Sequence, residues 1–318
     1  MFIASSRRSS VFTGVTVILF TVFTMALTDA FVKSASADMT LWQIYVLRSI
    51  IAIPVLFLLA RGSAWPAAPI WVALRSLTLG LMYLAIYAAI PMLDLSVIAA
   101  SLYTGPLFIV VLSAIVLGER IAWYQWAGMV VGFVGVLVIV RPATADFSPL
   151  SLLPVVAAFL YAVAAVLTRA RCPMEEPLTM ALWLNAILLA LGCIASVAVA
   201  WSGTGLAYDY PFLLGRWAEM DAGQWRIIFT LAALIIGVSI GLARAYQSEH
   251  PQIIATFDYA YLIFAGFWGF VFFGEVPDRM TLAGMALIVL AGLIQLFAER
   301  LVGNVARSFE PCCRRTAE

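Results

Sequence analysis

Charged side chains are scarce in this sequence. Asp, Glu, Lys and Arg make up 11% of its 318 residues, whereas hydrophobic residues make up 64%. Soluble domains contain about a quarter charged residues and about half apolar ones. A water-soluble fold of this chain would have to expose much apolar surface, so the composition predicts an integral membrane protein.

Cysteine and histidine are nearly absent. Cys172, Cys193, Cys312 and Cys313 have neither the spacing of a disulfide framework nor that of a zinc site, and His250 is the only histidine. We therefore expect no metal site and no cofactor. The sequence also lacks a Gly-x-x-x-x-Gly-Lys-Ser/Thr loop, so we expect no ATP hydrolysis by this chain. The net charge of +1 gives no indication of a nucleic-acid partner.

Long apolar runs are abundant instead. Each has about the 20 residues that a helix needs to cross the hydrocarbon core, which is about twice the length of a membrane β-strand. The sequence therefore predicts an all-α integral membrane protein with ten transmembrane helices. The runs cover residues 11–32, 41–60, 69–90, 95–117, 123–140, 149–168, 178–201, 225–247, 251–273 and 280–298.

The N-terminal segment allows a second interpretation. Arg7 and Arg8, the apolar run that follows and the "ASA" of residues 35–37 resemble a signal peptide. The run is too long for the usual hydrophobic region of such a peptide, and Asp29 and Lys33 interrupt the approach to the cleavage site. We expect the segment to remain as the first helix.

Basic residues predict the orientation of the chain. With the N-terminus in the cytoplasm, most of the Lys and Arg residues of the short loops lie on the cytoplasmic side. An even number of spans then places the C-terminus there as well. We expect a multi-pass protein of the bacterial inner (plasma) membrane with both termini in the cytoplasm.

The stretch from residue 95 to 129 aligns without a gap with the stretch from residue 251 to 285, with nine of 35 positions identical. "GE" and "AGM" occur at the same separation in both copies. The copies pair spans four and five with spans nine and ten, so each half has five spans and the halves enter the membrane in opposite orientations.

Inverted repeats are typical of secondary transporters, whose binding sites lie near the midplane between the halves, although some channels also have them. We predict a first five-helix repeat over 1–142, a second over 143–300 and a polar cytoplasmic tail over 301–318.

Two segments share the most specific pattern of the chain, a "GE" element followed nine residues later by Gly. They are "PLFIVVLSAIVLGERIAWYQWAGMVVGFVGVLVIVRP" at 106–142 and "YLIFAGFWGFVFFGEVPDRMTLAGMALIVLAG" at 261–292. Both resemble the hallmark segments of the ten-helix EamA-type branch of the drug/metabolite transporter superfamily. The resemblance covers 11–299, and it implies transport of small metabolites through a central cavity.

Asp258 is the deepest acid of the predicted spans, and it stands where the first copy has Leu102. An ionisable group costs about 2.5–3.5 kcal/mol at a helix centre on insertion scales, so it usually faces a cavity or a partner. One interpretation is that Asp258 lines the cavity and binds a cationic group or a proton. The other is a buried pair with Arg48 or Arg75, or a proton shared with a tyrosine. The sequence leaves both open.

Further charged residues fall within or near the spans. Asp29 and Lys33 are four residues apart on one helical face, where they are expected either to pair with each other or to serve the site. Arg48 follows Tyr45 by three residues and shares its face, and Arg75 lies near the cytoplasmic end of span three. A buried Arg suits recognition of a carboxylate or phosphate, and it equally suits a lock between two helices.

Tyrosines and helix-end residues complete the candidates. Tyr103 and Tyr259 lie at equivalent depths in the two copies, where they either bracket a substrate or pack symmetrically. Pro106 is expected to bend span four, and the second copy has Leu262 at that position. The candidate substrate residues are Asp258, Tyr259, Tyr103, Arg48, Arg75, Tyr83, Tyr87, Asp29 and Tyr261, and the candidate structural residues are Gly118, Glu119, Gly274, Glu275 and Pro106.

The sequence favours a secondary transporter for a small polar metabolite, with an amino acid or a related zwitterionic or cationic compound preferred. Proton coupling and exchange are both open. The expected partners are the small-molecule substrate and the lipid bilayer, and a homodimer is left open. One alternative is a passive channel or facilitator. A less favoured one is an intramembrane lipid-modifying enzyme, which would need clustered acids or histidines near one interface.

Overall fold

The structure is a computed structural model of the chain. It describes the backbone of residues 2–60, 64–118, 123–141, 149–201, 210–246 and 260–309. It describes the side chains of residues 15–60, 64–118, 123, 126–141, 149–201, 210–241 and 260–294.

These described residues form twelve α-helices and no β-strand. In chain order the helices are α1 (Phe2–Ala35), α2 (Leu41–Leu59), α3 (Pro69–Ala89), α4 (Leu95–Leu102), α5 (Gly105–Leu117), α6 (Trp123–Val140), α7 (Leu153–Arg171), α8 (Pro177–Trp201), α9 (Pro211–Leu214), α10 (Ala222–Tyr246), α11 (Ala260–Phe273) and α12 (Arg279–Phe309). A helix satisfies its backbone polar groups within one segment, which the interior of a membrane requires. The all-α prediction is confirmed.

Seven helical segments are long and apolar enough to cross a membrane. They are Val15–Ala35, Leu41–Leu59, Pro69–Ala89, Leu95–Leu117, Pro149–Arg171, Pro177–Trp201 and Ala222–Gly241. Three shorter apolar helices are Trp126–Val140, Ala260–Phe273 and Arg279–Ile294. Each of these segments overlaps one of the predicted runs, while the count of ten spans in two repeats stays a prediction.

Large apolar side chains lie on the outside of the bundle as well as inside it. Leu58, Ile115 and Ile263 are 75%, 74% and 72% exposed. Soluble monomers rarely expose large contiguous apolar patches. An outer surface of this kind suits contact with lipid tails, as the composition predicts.

Local signals set several helix ends. Thr40 caps α2 because its hydroxyl accepts a hydrogen bond from the backbone N–H of Gln43 at 3.4 Å. The helices α3, α5 and α7 each have Pro in the first turn, where a missing N–H breaks no helical hydrogen bond. Asp278 precedes α12 and accepts from the backbone N–H of Thr281 at 2.9 Å.

The bend predicted at Pro106 is a complete break between two helices. α4 ends just before Tyr103, and α5 begins just before Pro106. Pro106 cannot donate a backbone hydrogen bond, and the Thr104 hydroxyl donates to the carbonyl of Ser101 at 2.7 Å inside the break. The ring of Tyr103 lies 6.0 Å from the ring of Tyr261 on α11. The break therefore sets a tyrosine against the second half of the chain.

Two glycines end helices in the same way. Gly118 follows α5 with φ of +71°, and Gly274 follows α11 with φ of +67°. This left-handed backbone is easy for glycine and costly for a residue with a Cβ. An added Cβ at either position would find no atom within 4 Å, so the backbone angle alone requires glycine.

The helices pack in matched pairs. α6 packs along α12, and α2 packs along α8. The contact between α1 and α10 corresponds to the contact between α3 and α7. Likewise, the contact between α2 and α10 corresponds to the contact between α3 and α8. α1 also contacts α11, just as α7 contacts α4 and α5. Each of these contacts maps onto itself or onto another of them when α1, α2, α3, α4–α5 and α6 are exchanged with α7, α8, α10, α11 and α12.

The helices α6 and α12 bring their backbones into contact at two glycines. A Cβ at Gly135 would lie 2.9 Å from the carbonyl oxygen of Gly284, and a Cβ at Gly284 would lie 2.8 Å from the carbonyl oxygen of Gly135. Small residues allow this backbone contact between membrane helices.

Candidate functional site

Asp29 and Tyr261 join α1 to α11 in the interior of the bundle. The Tyr261 hydroxyl donates a hydrogen bond to Oδ2 of Asp29 at 2.6 Å. Tyr261 is buried and Asp29 is half-buried. A hydrogen bond to a carboxylate offsets part of the cost of removing it from water. Both residues are candidates from the sequence, but their contact spans 232 residues.

Arg48 is fully buried near the middle of α2. Its three side-chain nitrogens make no hydrogen bond of good geometry among the described residues, and the Tyr87 hydroxyl is the polar group that approaches them. It takes part in neither of the two ion pairs found between described side chains. Its Cζ lies 5.8 Å from the centre of the Tyr45 ring. Arg stays charged in proteins, and burying an isolated charge costs several kcal/mol, so this arrangement needs an explanation.

Three tyrosines lie around the Arg48 guanidinium. The Tyr87 ring lies 6.1 Å from that of Tyr45 and 5.7 Å from that of Tyr83. All three tyrosines and Asp29 are close enough to interact electrostatically with Arg48. The Tyr45 hydroxyl is buried and has no hydrogen-bond partner in the described part of the chain. The central cluster is the set Asp29, Tyr45, Arg48, Tyr83, Tyr87 and Tyr261.

Arg75 lies beside this cluster on α3 and is half-buried. Its Nε donates to the hydroxyl of Thr168 on α7 at 3.1 Å, while its buried Nη1 has no partner among the described residues. Tyr83 interacts electrostatically with both Arg75 and Arg48. Arg75 thus ties two helices together, as one of its two interpretations predicts, and keeps one donor unused.

Lys33 does not pair with Asp29, so that interpretation of their four-residue spacing is wrong. It forms an ion pair with Glu275 in the turn between α11 and α12, and its Nζ also donates to the carbonyl of Leu93 at 2.7 Å. The other oxygen of Glu275 accepts from the backbone N–H of Leu95 at 2.9 Å. The two charged side chains are 13% and 10% exposed. We refer to this part of the bundle, defined by Lys33, Leu93 and Glu275, as the Lys33 end.

A second ion pair at the Lys33 end joins Arg141, just after α6, to Asp278, just before α12. This pair is more open, with side chains 36% and 52% exposed. Hydrogen bonds from Arg141 and Thr281 hold the pKa of Asp278 below its ordinary value. Burial, together with the charge of Glu275, raises the pKa of Asp94 in the loop before α4.

A groove of about 480 Å³ between α11 and α12 is a separate feature. Its lining is mostly apolar and includes the well-exposed Ile263, Phe270 and Val276. A groove of this kind on the outside of the bundle suits lipid, and its only charged lining residue is Glu275, which already pairs with Lys33. It does not compete with the central cluster as a site for a polar solute.

Comparison with known proteins shows which proteins this chain resembles. The EamA-like transporter family matches residues 12–141. The pseudopaline exporter of Pseudomonas aeruginosa (strain UCBPP-PA14) is 28% identical over 285 residues, which are 87% of this chain and 94% of the exporter. The family match covers less than half of the chain, and it agrees with the EamA-type resemblance that the motifs predict.

Further relatives carry different substrates in their names. The S-adenosylmethionine uptake transporter of Rickettsia prowazekii is 26% identical over 195 residues, which are 61% of this chain and 60% of that protein. The riboflavin transporter of Vibrio cholerae is 28% identical over 192 residues, which are 60% of this chain and 59% of that protein. The family and these relatives are named as transporters and not as enzymes. The chain is thus a multi-pass membrane transporter.

A solved structure shares the fold. This crystal structure of another protein has a TM-score of 0.59 and 20% sequence identity, and the match covers 93% of this chain and 99% of that chain. At this identity the likeness concerns the fold alone.

The structure brings many of the predicted substrate residues together. Asp29, Arg48, Tyr83, Tyr87 and Tyr261 belong to the central cluster. Tyr103 touches the cluster through Tyr261, and Arg75 lies next to Tyr83. Asp258, Tyr259 and Glu119 lie outside the described residues, so their roles stay predictions.

Two aromatic residues near the site are absent from the predicted candidates. Tyr45 has a sequence signal, because its place three residues before Arg48 puts both on one helical face. Trp268 on α11 has a buried ring nitrogen without a hydrogen-bond partner in the described residues, and its ring lies 5.0 Å from that of Phe23. No pattern separates Trp268 from the many other aromatic residues of the chain.

Proposed function

We propose that this chain is a secondary transporter that moves a small polar metabolite across the bacterial inner membrane by alternating access. The favoured substrate is an amino acid or a related zwitterionic or cationic organic compound. The observation that carries the proposal is a charged and aromatic cluster in the interior of an apolar helical bundle. Charged side chains inside membrane proteins are costly and usually belong to substrate or ion pathways.

The central cluster contains two opposite charges that do not pair with each other. Asp29 and Arg48 interact electrostatically, but no ion pair joins them among the described side chains. A zwitterion complements this arrangement, because its positive group can meet Asp29 while its negative group meets Arg48. The rings of Tyr45, Tyr83 and Tyr87 suit contact with the organic part of such a solute or with a cationic group.

We further propose that the chain consists of two inverted five-helix repeats, over 1–142 and 143–300. The exchange of helices described above preserves the main helix contacts, and Gly118 and Gly274 have the same backbone conformation at matched helix ends. Both features support the proposal. Two packings of one scaffold can open to either side in turn, which provides alternating access around a fixed site. Both termini are then cytoplasmic.

The driving force in this proposal is a solute gradient, a proton gradient or exchange. Asp258, which lies outside the described residues, is the proposed cation or proton site of span nine. Asp258→Asn should abolish transport while expression is unchanged. Full activity of the variant with an unaltered pH dependence would remove Asp258 from the mechanism.

The test begins with purified protein and a thermal-shift screen over amino acids, vitamins and nucleosides, because a ligand that binds only the folded state raises its melting temperature. The best binder is then measured as radiolabelled solute in proteoliposomes. A carrier gives saturable counterflow when the vesicles are preloaded with unlabelled solute. Flux that does not saturate and shows no counterflow would contradict the carrier proposal and indicate a channel. Protein-free liposomes are the control.

A further inference from the structure

We infer that Arg48 is the carboxylate-binding group of the central cluster, so that the transported solute carries a free carboxylate. The inference rests on the proposed function and deepens it by assigning one substrate group to one side chain. Three features of Arg48 carry it: its complete burial, its unpaired donors and its surroundings.

The burial of Arg48 without a counter-ion is the first step. The residue has no exposed surface, and no described carboxylate pairs with it. Apart from the neutral Tyr87 hydroxyl that approaches them, its Nε and both Nη atoms find no acceptor in the described part of the chain. An arginine whose role is to lock helices would use these donors, as Arg75 uses its Nε with Thr168. A buried charged donor without an acceptor lowers the stability of the folded protein. The acceptor for these donors is therefore supplied by the transported solute while it is bound.

The shape of the guanidinium selects the missing acceptor. Its planar fork of N–H donors matches the two oxygens of a carboxylate, which it binds through two parallel hydrogen bonds. The Tyr45 hydroxyl, also buried and without a partner among the described residues, offers a further donor one helical turn away. Both unused groups belong to α2 and are three residues apart, so they lie on one face of the helix.

Asp29 places the second half of the substrate. Its Oδ2 accepts from Tyr261, and it lies close enough to Arg48 to interact electrostatically without forming an ion pair. A solute with a carboxylate and an ammonium group bridges the two residues, with the carboxylate at Arg48 and the ammonium at Asp29. A primary amide offers one neutral acceptor oxygen, and an amine without a carboxylate offers none. Neither gives the buried guanidinium a counter-ion with two parallel acceptors.

One experiment compares the ligand-free stability of two variants, Arg48→Met and Arg75→Met, by thermal unfolding in the same detergent. Replacing an unpaired buried charge by an apolar side chain of similar size relieves a cost. We therefore expect the melting temperature of Arg48→Met to equal or exceed that of the wild type. Arg75→Met is the matched control, and it should melt lower because Arg75 has a partner. A clear decrease for Arg48→Met would identify a structural lock and overturn the inference.

A second measurement tests recognition directly. Pairs of free amino acids and their primary amides, and inorganic phosphate, are added to the wild type and to Arg48→Met. The expected result is a rise in the melting temperature of the wild type with carboxylates, no rise with the matched amides, and loss of the response in Arg48→Met. Equal responses to amides, a response kept in Arg48→Met, a response to phosphate alone, or no response to any carboxylate would each overturn the inference.

Failure of this inference can be told apart from failure of the proposed function. Saturable counterflow of an amine without a carboxylate, unchanged in Arg48→Met, would leave the transporter intact and remove Arg48 from recognition. Flux without counterflow would instead contradict the carrier itself.

Discussion

Lys33 and Glu275 are 242 residues apart in the chain and form a largely buried ion pair where α1 ends. Each also bonds to the backbone around the start of α4, Lys33 to the carbonyl of Leu93 and Glu275 to the N–H of Leu95. A single pair of side chains thus holds together α1, the loop between α3 and α4, and the turn between α11 and α12. This linkage makes the Lys33 end sensitive to single substitutions.

Glu275→Gln should lower the melting temperature strongly. The amide can still accept from Leu95, but it leaves the buried charge of Lys33 without a counter-ion. Breaking a buried ion pair by removing one partner costs about 3–5 kcal/mol. Thermal unfolding of the purified variant in detergent measures the effect.

Asp278→Asn is the control for this prediction, because the pair of Asp278 with Arg141 lies at the same end but is more exposed. Exposed ion pairs contribute little to stability, so its melting temperature should change only slightly. Equal decreases in the two variants would show that burial of the Lys33–Glu275 pair is not what matters.

The small effect of Asp278→Asn should depend on pH. Hydrogen bonds from Arg141 and Thr281 hold the pKa of Asp278 below its ordinary value of 3.8. A lowered pKa means that the charged form stabilises the fold above the unfolded pKa, and that this contribution is lost as the pH falls towards the folded value. The difference in melting temperature between wild type and variant should be present at neutral pH and shrink as the pH falls below 3.8. A difference that stays constant with pH would contradict this role of the charge.

A double-mutant cycle should detect coupling between Asp29 and Tyr261. Tyr261→Phe removes the hydroxyl that donates to the carboxylate, and Asp29→Ala removes the acceptor. A hydrogen bond to a charged group contributes about 1.5–3 kcal/mol, so the double variant should be more stable than the sum of the single effects predicts. Unfolding of the four proteins in denaturant gives the coupling energy.

The control cycle for this pair combines Asp29→Ala with Tyr210→Phe, since Tyr210 lies at the start of α9 and is exposed. Effects at sites without shared partners add. Additive effects in both cycles would show that the Asp29–Tyr261 hydrogen bond has no energetic weight.

Gly135→Ala should destabilise the contact between α6 and α12. The new methyl group would lie 2.9 Å from the carbonyl oxygen of Gly284, and a backbone atom cannot turn aside as a flexible side chain can. Overpacking of this kind costs about 1–3 kcal/mol.

Gly237→Ala is the matched control, because its Cβ would meet no atom within 4 Å and alanine favours a helix. Thermal unfolding should therefore show a decrease for Gly135→Ala only, and similar values for both would indicate that α12 shifts without cost.

Much of the fold follows from the sequence by simple length and pattern. Apolar runs of about 20 residues predict helices because hydrocarbon leaves the backbone no other partners. The interruption near Pro106 follows from the missing N–H of proline, although its exact form, a full break that includes Tyr103 and Thr104, depends on packing against α11 and α7.

The pairing of the charged residues does not follow from the sequence. Local spacing favours Asp29 with Lys33, yet both residues bind partners more than 200 residues away, Tyr261 and Glu275. Nothing in a single sequence shows which distant residue a helix will meet. The isolation of Arg48 is equally hidden, because its presence in an apolar run shows that burial is costly but not whether a partner compensates for it.

The two glycines that end α5 and α11 have a consequence that concerns chirality. Open space surrounds Gly118 and Gly274, so neither position excludes a methyl group by volume. What each excludes is an L-configured residue, because φ near +70° brings an L side chain towards its own backbone. A D-alanine, introduced by chemical ligation, prefers this region of backbone space and should be accepted where L-alanine is strained. At these two helix ends the chain selects for handedness and not for size.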